Sequence, residues 1–503
     1  MEEQMTRSSR HQKKGQSAKK NKQLETFNNA PKKSGWGKHL FTLMSIIVVL
    51  MVAGGAYFFY EAKKQEAQAQ DRFEHGAEEL LKTIQAERDQ SGIASQKKET
   101  NSDQLKTVVY LPEKPEQLPI PDSQQTLTDL VAKAKKEIKD SGKHVVVGKL
   151  AVNALSDQVD VYKLVAENYP WDAAAGTFAK AKTLEGSSQY IYHKTGQPVS
   201  SSDLIPEEAD LLGIQQVIQQ KILDQEKDKE ASIDQVLNMP RITRETPIVY
   251  TPEKLKLTLP TNEMGVSELE LDYKDIAPFI NTALVDPKTL TNDQIPTLDP
   301  NKKYVALTFD DGPNPATTPQ ILDILKAKQA TATFFLLGQN VEANQELVKR
   351  IVDEGNEVGS HSYSHARLNT LSDEEVKAEI IKTDKAIFEA SGVLPQNLRA
   401  PYGAADQRVA NIAGKPLIHW SVDSQDWESK NPVAIEARLQ ATLYEGSIVL
   451  MHDIQPATLE ALPQVIDTMR AEGYEFVSVD TMLQKSQKPL YTYFGDGDFR
   501  IIP

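Results

Sequence analysis

Two histidines four residues apart, His361 and His365, follow a pair of adjacent carboxylates, Asp310 and Asp311, in the run Thr308-Phe309-Asp310-Asp311-Gly312. Two imidazoles and one carboxylate suit a divalent ion of the zinc class and leave one coordination position for water, which is what separates a catalytic from a structural site. The second carboxylate is then free to handle a proton, and the chemistry indicated is hydrolysis. Neither cluster is specific alone. Nine histidines in 503 residues give such spacings by chance, and Asp-Asp-Gly after an apolar run also reads as a strand entering a turn.

Three further clusters lie downstream: Arg399-Ala400-Pro401-Tyr402-Gly403, Asp423-Ser424-Gln425-Asp426-Trp427 and Ile448-Val449-Leu450-Met451-His452-Asp453. The ordered set resembles the five motifs of the polysaccharide deacetylase family, carbohydrate esterase family 4, whose shared region is the NodB homology domain. The resemblance covers residues 304–483, and the layout is most similar to membrane-anchored peptidoglycan N-acetylglucosamine deacetylases of Gram-positive bacteria. One departure is Ala366, where many relatives place a proline after the second histidine.

The resemblance implies a role for each position. Asp311, His361 and His365 are expected to hold one divalent metal ion, with zinc the first expectation and cobalt or manganese compatible with the same donors. Asp310 is the expected general base and Arg399 its oriented partner. His452 is the expected general acid, kept protonated by a carboxylate, Asp426 by family position. Asp423 either shares that work or shapes the loop. Tyr402 is expected to offer its backbone N–H to an oxyanion, and Trp427 and Leu450 to line the pocket for the acetyl group and sugar face. The implied activity is removal of acetyl groups from N-acetylglucosamine in peptidoglycan, with lysozyme resistance as the consequence. Other acetylated polymers, such as chitin-like chains or xylan, fit the same motifs. A binding ectodomain built on a dead scaffold does not, because no ligand or base is missing.

The elements that must position these groups alternate strand and helix through the C-terminal third. Candidate strands are 304–309, 331–336, 357–360, 417–422, 447–451 and 475–479, and candidate helices are 344–354, 372–391, 433–444 and 459–472. The expected fold class is α/β: a distorted (β/α) barrel with its motifs at strand C-terminal ends, where barrel active sites are built. Expected boundaries are 299–486 for this domain and 487–503 for a C-terminal tail.

Upstream, residues 39–60 form an apolar run long enough to cross a bilayer as a helix. Residues 1–38 carry ten Lys or Arg against three acids, a net of +7, which leaves −21 of the formal −14 for residues 39–503. A basic flank stays cytoplasmic, so the expectation is a single-pass cell-membrane protein with its catalytic domain outside, facing the wall. The acidic remainder argues against nucleic acid as a partner. The expected partners are peptidoglycan glycan strands and, through one helix, the membrane. Residues 61–106 read as helical stalk and polar linker, and 107–298 as a smaller α+β spacer. The spacer faintly resembles the modules ahead of the catalytic domain in streptococcal-type deacetylases. The chain has no cysteine, so disulfides and thiolate metal ligands are excluded.

Overall fold

The computed structural model describes residues 36–502, except 91, 116–117, 119, 252 and 292–297. The basic segment expected as a cytoplasmic tail therefore lies almost wholly outside the described residues. The first element is one continuous helix, Trp36–Asp89. Its N-terminal part exposes Leu40, Phe41, Leu50, Phe58 and other apolar side chains, and the helix is apolar and long enough to cross a membrane. Further along, Phe73, Ala77, Leu81 and Ile84 recur at helical spacing on one buried face. The described residues up to Leu81, with Asp172–Phe178, form one compact unit, in which the Phe73 and Phe178 rings lie 5.8 Å apart. Residues 82–171 and 179–503 belong to the other.

The expected linker is not one. Ser95–Asn101 is a strand paired antiparallel with Leu105–Pro112. It is an edge strand exposed along almost its whole length, so no apolar alternation marks it in the sequence. The sheet continues through His144–Ala154, parallel to Leu105–Pro112, then Val159–Asp172 and Lys182–Tyr192. The helix Ser123–Lys136 lays Leu127, Val131 and Ala134 over Val146, Leu164 and Ala166. A second layer consists of the helices Glu208–Gln225 and Lys229–Leu237 and a small antiparallel sheet, Ile248–Tyr250, Lys254–Thr258 and Glu268–Asp272. Its core includes Phe388 and Leu394 from the C-terminal domain, so the two domains share apolar packing.

Among the described residues the C-terminal sheet has nine strands. Lys303–Asp310 lies at its centre, parallel to Ala332–Leu336 on one side and to Ser447–His452 on the other. Glu357–Ser360 follows Ala332–Leu336, and bridges from Ser360 to Leu398 and from Leu398 to Leu417 carry the sheet round toward its other edge. The strand expected over 417–422 is two short pieces. Leu417–Ile418 pairs with Tyr491–Gly495, whereas Val422–Asp423 pairs with Ser447–His452. The expected tail is thus part of the sheet: Tyr491–Gly495 fills the gap where the 417–423 segment changes partner, and Asp498–Ile501 pairs antiparallel with it. The result is the expected distorted barrel. Val305, Leu307, Phe309, Phe334, Val449 and Met451 face the surrounding helices in one core.

Candidate active site

The parallel register sets Asp310 opposite His452 and Leu336 opposite Ser360, the residue before His361. The chemical groups therefore gather at strand ends because the strands end together. Asp310 closes its strand, and its Oδ1 accepts from Arg399 Nη1 at 2.7 Å. Arg399 is fully buried and directs three more donors to Thr308 Oγ1 (2.6 Å), the Ile418 carbonyl (3.0 Å) and the His419 carbonyl (2.9 Å), with its guanidinium 4.1 Å from the centre of the Phe335 ring. A lysine could not satisfy these partners, because four acceptors converge on the fixed planar fork of the guanidinium and an ammonium has three donors.

Asp311 has φ 74°, a left-handed conformation that turns its side chain away from that of Asp310. Asp311 Oδ1 lies 3.4 Å from His361 Nε2 and 3.2 Å from His365 Nε2. One donor atom from each of the three residues lies within 4.8 Å of the other two. Among the described residues Asp311 Oδ1 accepts no hydrogen bond although it is buried. An orphaned carboxylate oxygen costs free energy unless something else occupies it, and a divalent cation between these donors fits it. The second nitrogens of the rings are already engaged. His361 Nδ1 lies 2.6 Å from the Arg399 carbonyl, which can only accept, so Nδ1 carries the proton and Nε2 presents a lone pair. His365 Nδ1 lies 3.1 Å from the Tyr402 hydroxyl.

On the far side, His452 Nδ1 is 2.8 Å from Asp426 Oδ1, while the His452 backbone N–H donates to Asp426 Oδ2 at 2.7 Å. Thr458 and the Trp427 N–H also donate to this fully buried carboxylate. Burial works to depress the His452 pKa, but the bond to Asp426 and the charges of Asp426, Asp310 and Asp311 outweigh it and push it up to about 9. Burial works to raise the Asp426 pKa, yet its bonds to His452 and Thr458 hold it below the usual carboxylate range. Asp423 shapes the loop: its carboxylate accepts the Gln425 N–H at 2.8 Å.

Trp427 is half exposed and so is not a core tryptophan, and Tyr402, with φ 60°, is 62% exposed. Leu450 is buried two residues before His452, on the same face of their strand. Each residue expected at the site is thus at these strand ends or in the loops that leave them. Thr308 and Thr458, which fix Arg399 and Asp426, carry no signal in the sequence beyond their nearness to motif residues. Asp453 stands in a motif but gained no role from it. Its side chain is fully buried, accepts from Thr318, and is pushed up by burial to about 7.

Asp453 also explains Gly312. A Cβ at Gly312 would overlap both carboxylate oxygens of Asp453. Gly312→Ala is therefore expected to cost about 1–3 kcal/mol of stability and to lower activity by displacing Asp311. A thermal melt and an activity assay on the same sample check this, and wild-type behaviour in both would show that the turn has room to spare.

A buried carboxylate on an arginine, a histidine on a second carboxylate, and an Asp-His-His triad with an orphaned oxygen gather at the mouth of a (β/α) barrel, an arrangement chemically able to support hydrolysis. The family model for polysaccharide deacetylase matches residues 297–416, and that for the peptidoglycan GlcNAc deacetylase N-terminal domain matches residues 78–292. The second match begins within the expected stalk, consistent with the edge strand found there. The chain is 38% identical over 250 residues to the peptidoglycan-N-acetylglucosamine deacetylase PgdA of Listeria monocytogenes, covering 49% of this chain and 53% of that protein. It is 41% identical over 186 residues to the peptidoglycan-N-acetylmuramic acid deacetylase PdaC of Bacillus subtilis, covering 37% and 40%. It is 36% identical over 195 residues to a peptidoglycan-N-acetylglucosamine deacetylase of Bacillus cereus, covering 37% and 71%. The chain spans about half the length of the first of these relatives. It belongs to the polysaccharide deacetylase family.

Proposed function

We propose that the protein is a metal-dependent deacetylase that removes acetyl groups from N-acetylglucosamine residues of peptidoglycan. The observation that carries this reading is the pair of proton-handling groups flanking the triad, Asp310 on Arg399 and His452 on Asp426, set opposite each other by strand register. Amide hydrolysis needs one group to take a proton from water and another to give one to the departing amine. Relatives named for peptidoglycan N-acetylglucosamine, and the match to the N-terminal domain associated with them, support the choice of substrate.

In this mechanism Asp311, His361 and His365 would hold the ion, zinc in the first instance, which when bound would supply a Lewis acid for the amide carbonyl and lower the pKa of a neighbouring water. Asp310, oriented by Arg399, takes the proton of the attacking water. The Tyr402 N–H donates to the developing oxyanion. His452, charged through Asp426, protonates the amine nitrogen as the C–N bond breaks, giving acetate and glucosamine. Trp427 and Leu450 receive the sugar face and the acetyl methyl.

The Trp36–Asp89 helix supports a single membrane span, and the basic residues before it support a cytoplasmic N-terminus with the catalytic domain facing the wall. Free amines placed in the glycan there make it a poorer lysozyme substrate.

The test is acetate release from N-acetylated peptidoglycan by the protein, with and without chelator, then with zinc or cobalt restored. Release that chelator stops and metal restores is the expected outcome. Release from chitooligosaccharides but not from peptidoglycan would overturn the substrate, and release indifferent to chelator would overturn the metal.

A further inference from the structure

The loop between the two metal histidines is held from outside the site. Ser362 (φ 67°) and His365 (φ 64°) both adopt left-handed backbone, which costs a non-glycine residue free energy and persists only where surrounding contacts impose it. On one side the Ser362 and Tyr363 carbonyls accept the N–H groups of Gly338 (3.1 Å) and Gln339 (3.2 Å), at the start of the helix Gly338–Ala343. On the other side a single carboxylate, Glu379, accepts three hydrogen bonds from the loop. Its Oε2 accepts the Tyr363 and Ser364 N–H groups, each at 2.8 Å, and its Oε1 accepts the Ser364 hydroxyl at 2.8 Å.

Glu379 lies in the helix Asp373–Ser391, whose start is fixed by a capping box between Ser372 and Glu375. The far end of that helix is gripped by the N-terminal module. Phe388 sits in the module's core, Lys385 pairs with Asp234 at 2.5 Å, and the Leu394 N–H just beyond the helix donates to Gln220 at 2.9 Å. The carboxylate is therefore mounted on a support anchored at both ends.

We propose that Glu379 is the positioning residue of the metal centre: it touches neither ion nor substrate, but sets the separation of His361 and His365 by holding the loop between them. This rests on the metal reading above. Partners that orient ligands change metal affinity by about 10–100-fold when removed.

The experiment uses the full chain in detergent micelles, stripped of metal and titrated with Co2+ against a chromophoric chelator, reading both Kd and the d–d absorption of the bound ion. Glu379→Ala is expected to weaken Co2+ binding about 10–100-fold and to alter the d–d bands. Glu379→Gln should recover most of the affinity, because its amide oxygen can accept both N–H groups while its NH2 donates to Ser364. Glu379→Met, which keeps helix propensity and length but accepts nothing, replaces the alanine variant should that one fail to fold. His361→Ala should abolish binding. A Kd within twofold of wild type in Glu379→Ala or Glu379→Met, with binding lost in His361→Ala, would overturn the role of Glu379. Undiminished binding in His361→Ala would overturn the metal reading and this inference with it.

Discussion

His361→Ala is expected to leave a folded protein whose acetate release falls to the background rate. The substitution removes one of three donors and leaves Asp311 and His365, whose donor atoms lie 3.2 Å apart; among the described residues no other cluster of three such donors is found. The ring is almost fully buried, and its Nδ1–H satisfies the carbonyl of Arg399, the residue that also holds Asp310. Leaving that carbonyl without a donor costs about 1–3 kcal/mol. Activity should therefore vanish while a melt shows only a modest loss of stability. Metal content and acetate release on one preparation, beside circular dichroism, separate the two effects. Near-normal turnover in the variant would remove the triad from the mechanism.

The second large effect is expected from Asp426→Asn, read as a pH profile. His452 must be protonated to give its proton to the leaving amine. With a pKa of about 9, it remains charged through neutral pH and loses its proton only as pH rises through that value. A divalent ion on Asp311 cancels that carboxylate's share, so the alkaline limb of the metal-loaded enzyme falls at or below about 9. Removing the Asp426 carboxylate takes away the two largest raising contributions and leaves burial opposed only by the charges of Asp310 and Asp311. The alkaline limb should then move down from about 9, and kcat/KM at pH 8 should drop about 10²-fold or more. Stability follows the same sign. The raised pKa contributes stability that is fully present below about 6.5 and is lost as pH rises through about 9, so the variant's deficit should shrink as pH rises across that window. An unchanged alkaline limb would show that another group is the acid.

The site was legible in the sequence to an unusual degree because its donors stand in short runs at strand ends. The supports are less legible, for a physical reason. The motif order pairs Arg399 with Asp310, but the partners that hold the arginine itself, Thr308 and the carbonyls of Ile418 and His419, are scattered over more than a hundred residues. Glu379 is one of several acids in a helix whose polar positions look alike in sequence. Only the fold shows that its carboxylate meets Tyr363 and Ser364. The edge strand Ser95–Asn101 hides for the opposite reason, since a strand wetted on both faces shows no period.

By itself the sequence determined the membrane-length apolar run, the alternation of strand and helix in the C-terminal third, and the order of the motif residues. These are local properties, set by composition and spacing over a few to twenty residues. Tertiary structure decided how the two adjacent aspartates are aimed: the left-handed backbone at Asp311 sets its Oδ1 3.2 Å from His365 and 3.4 Å from His361, while Asp310 has Oδ1 on Arg399 and Oδ2 3.8 Å from His361. It also decided that residues 491–501 close the sheet and that Phe388 and Leu394 belong to the neighbouring domain's core. Each of these depends on pairing or packing between residues far apart in the chain, where no local pattern records which partner wins.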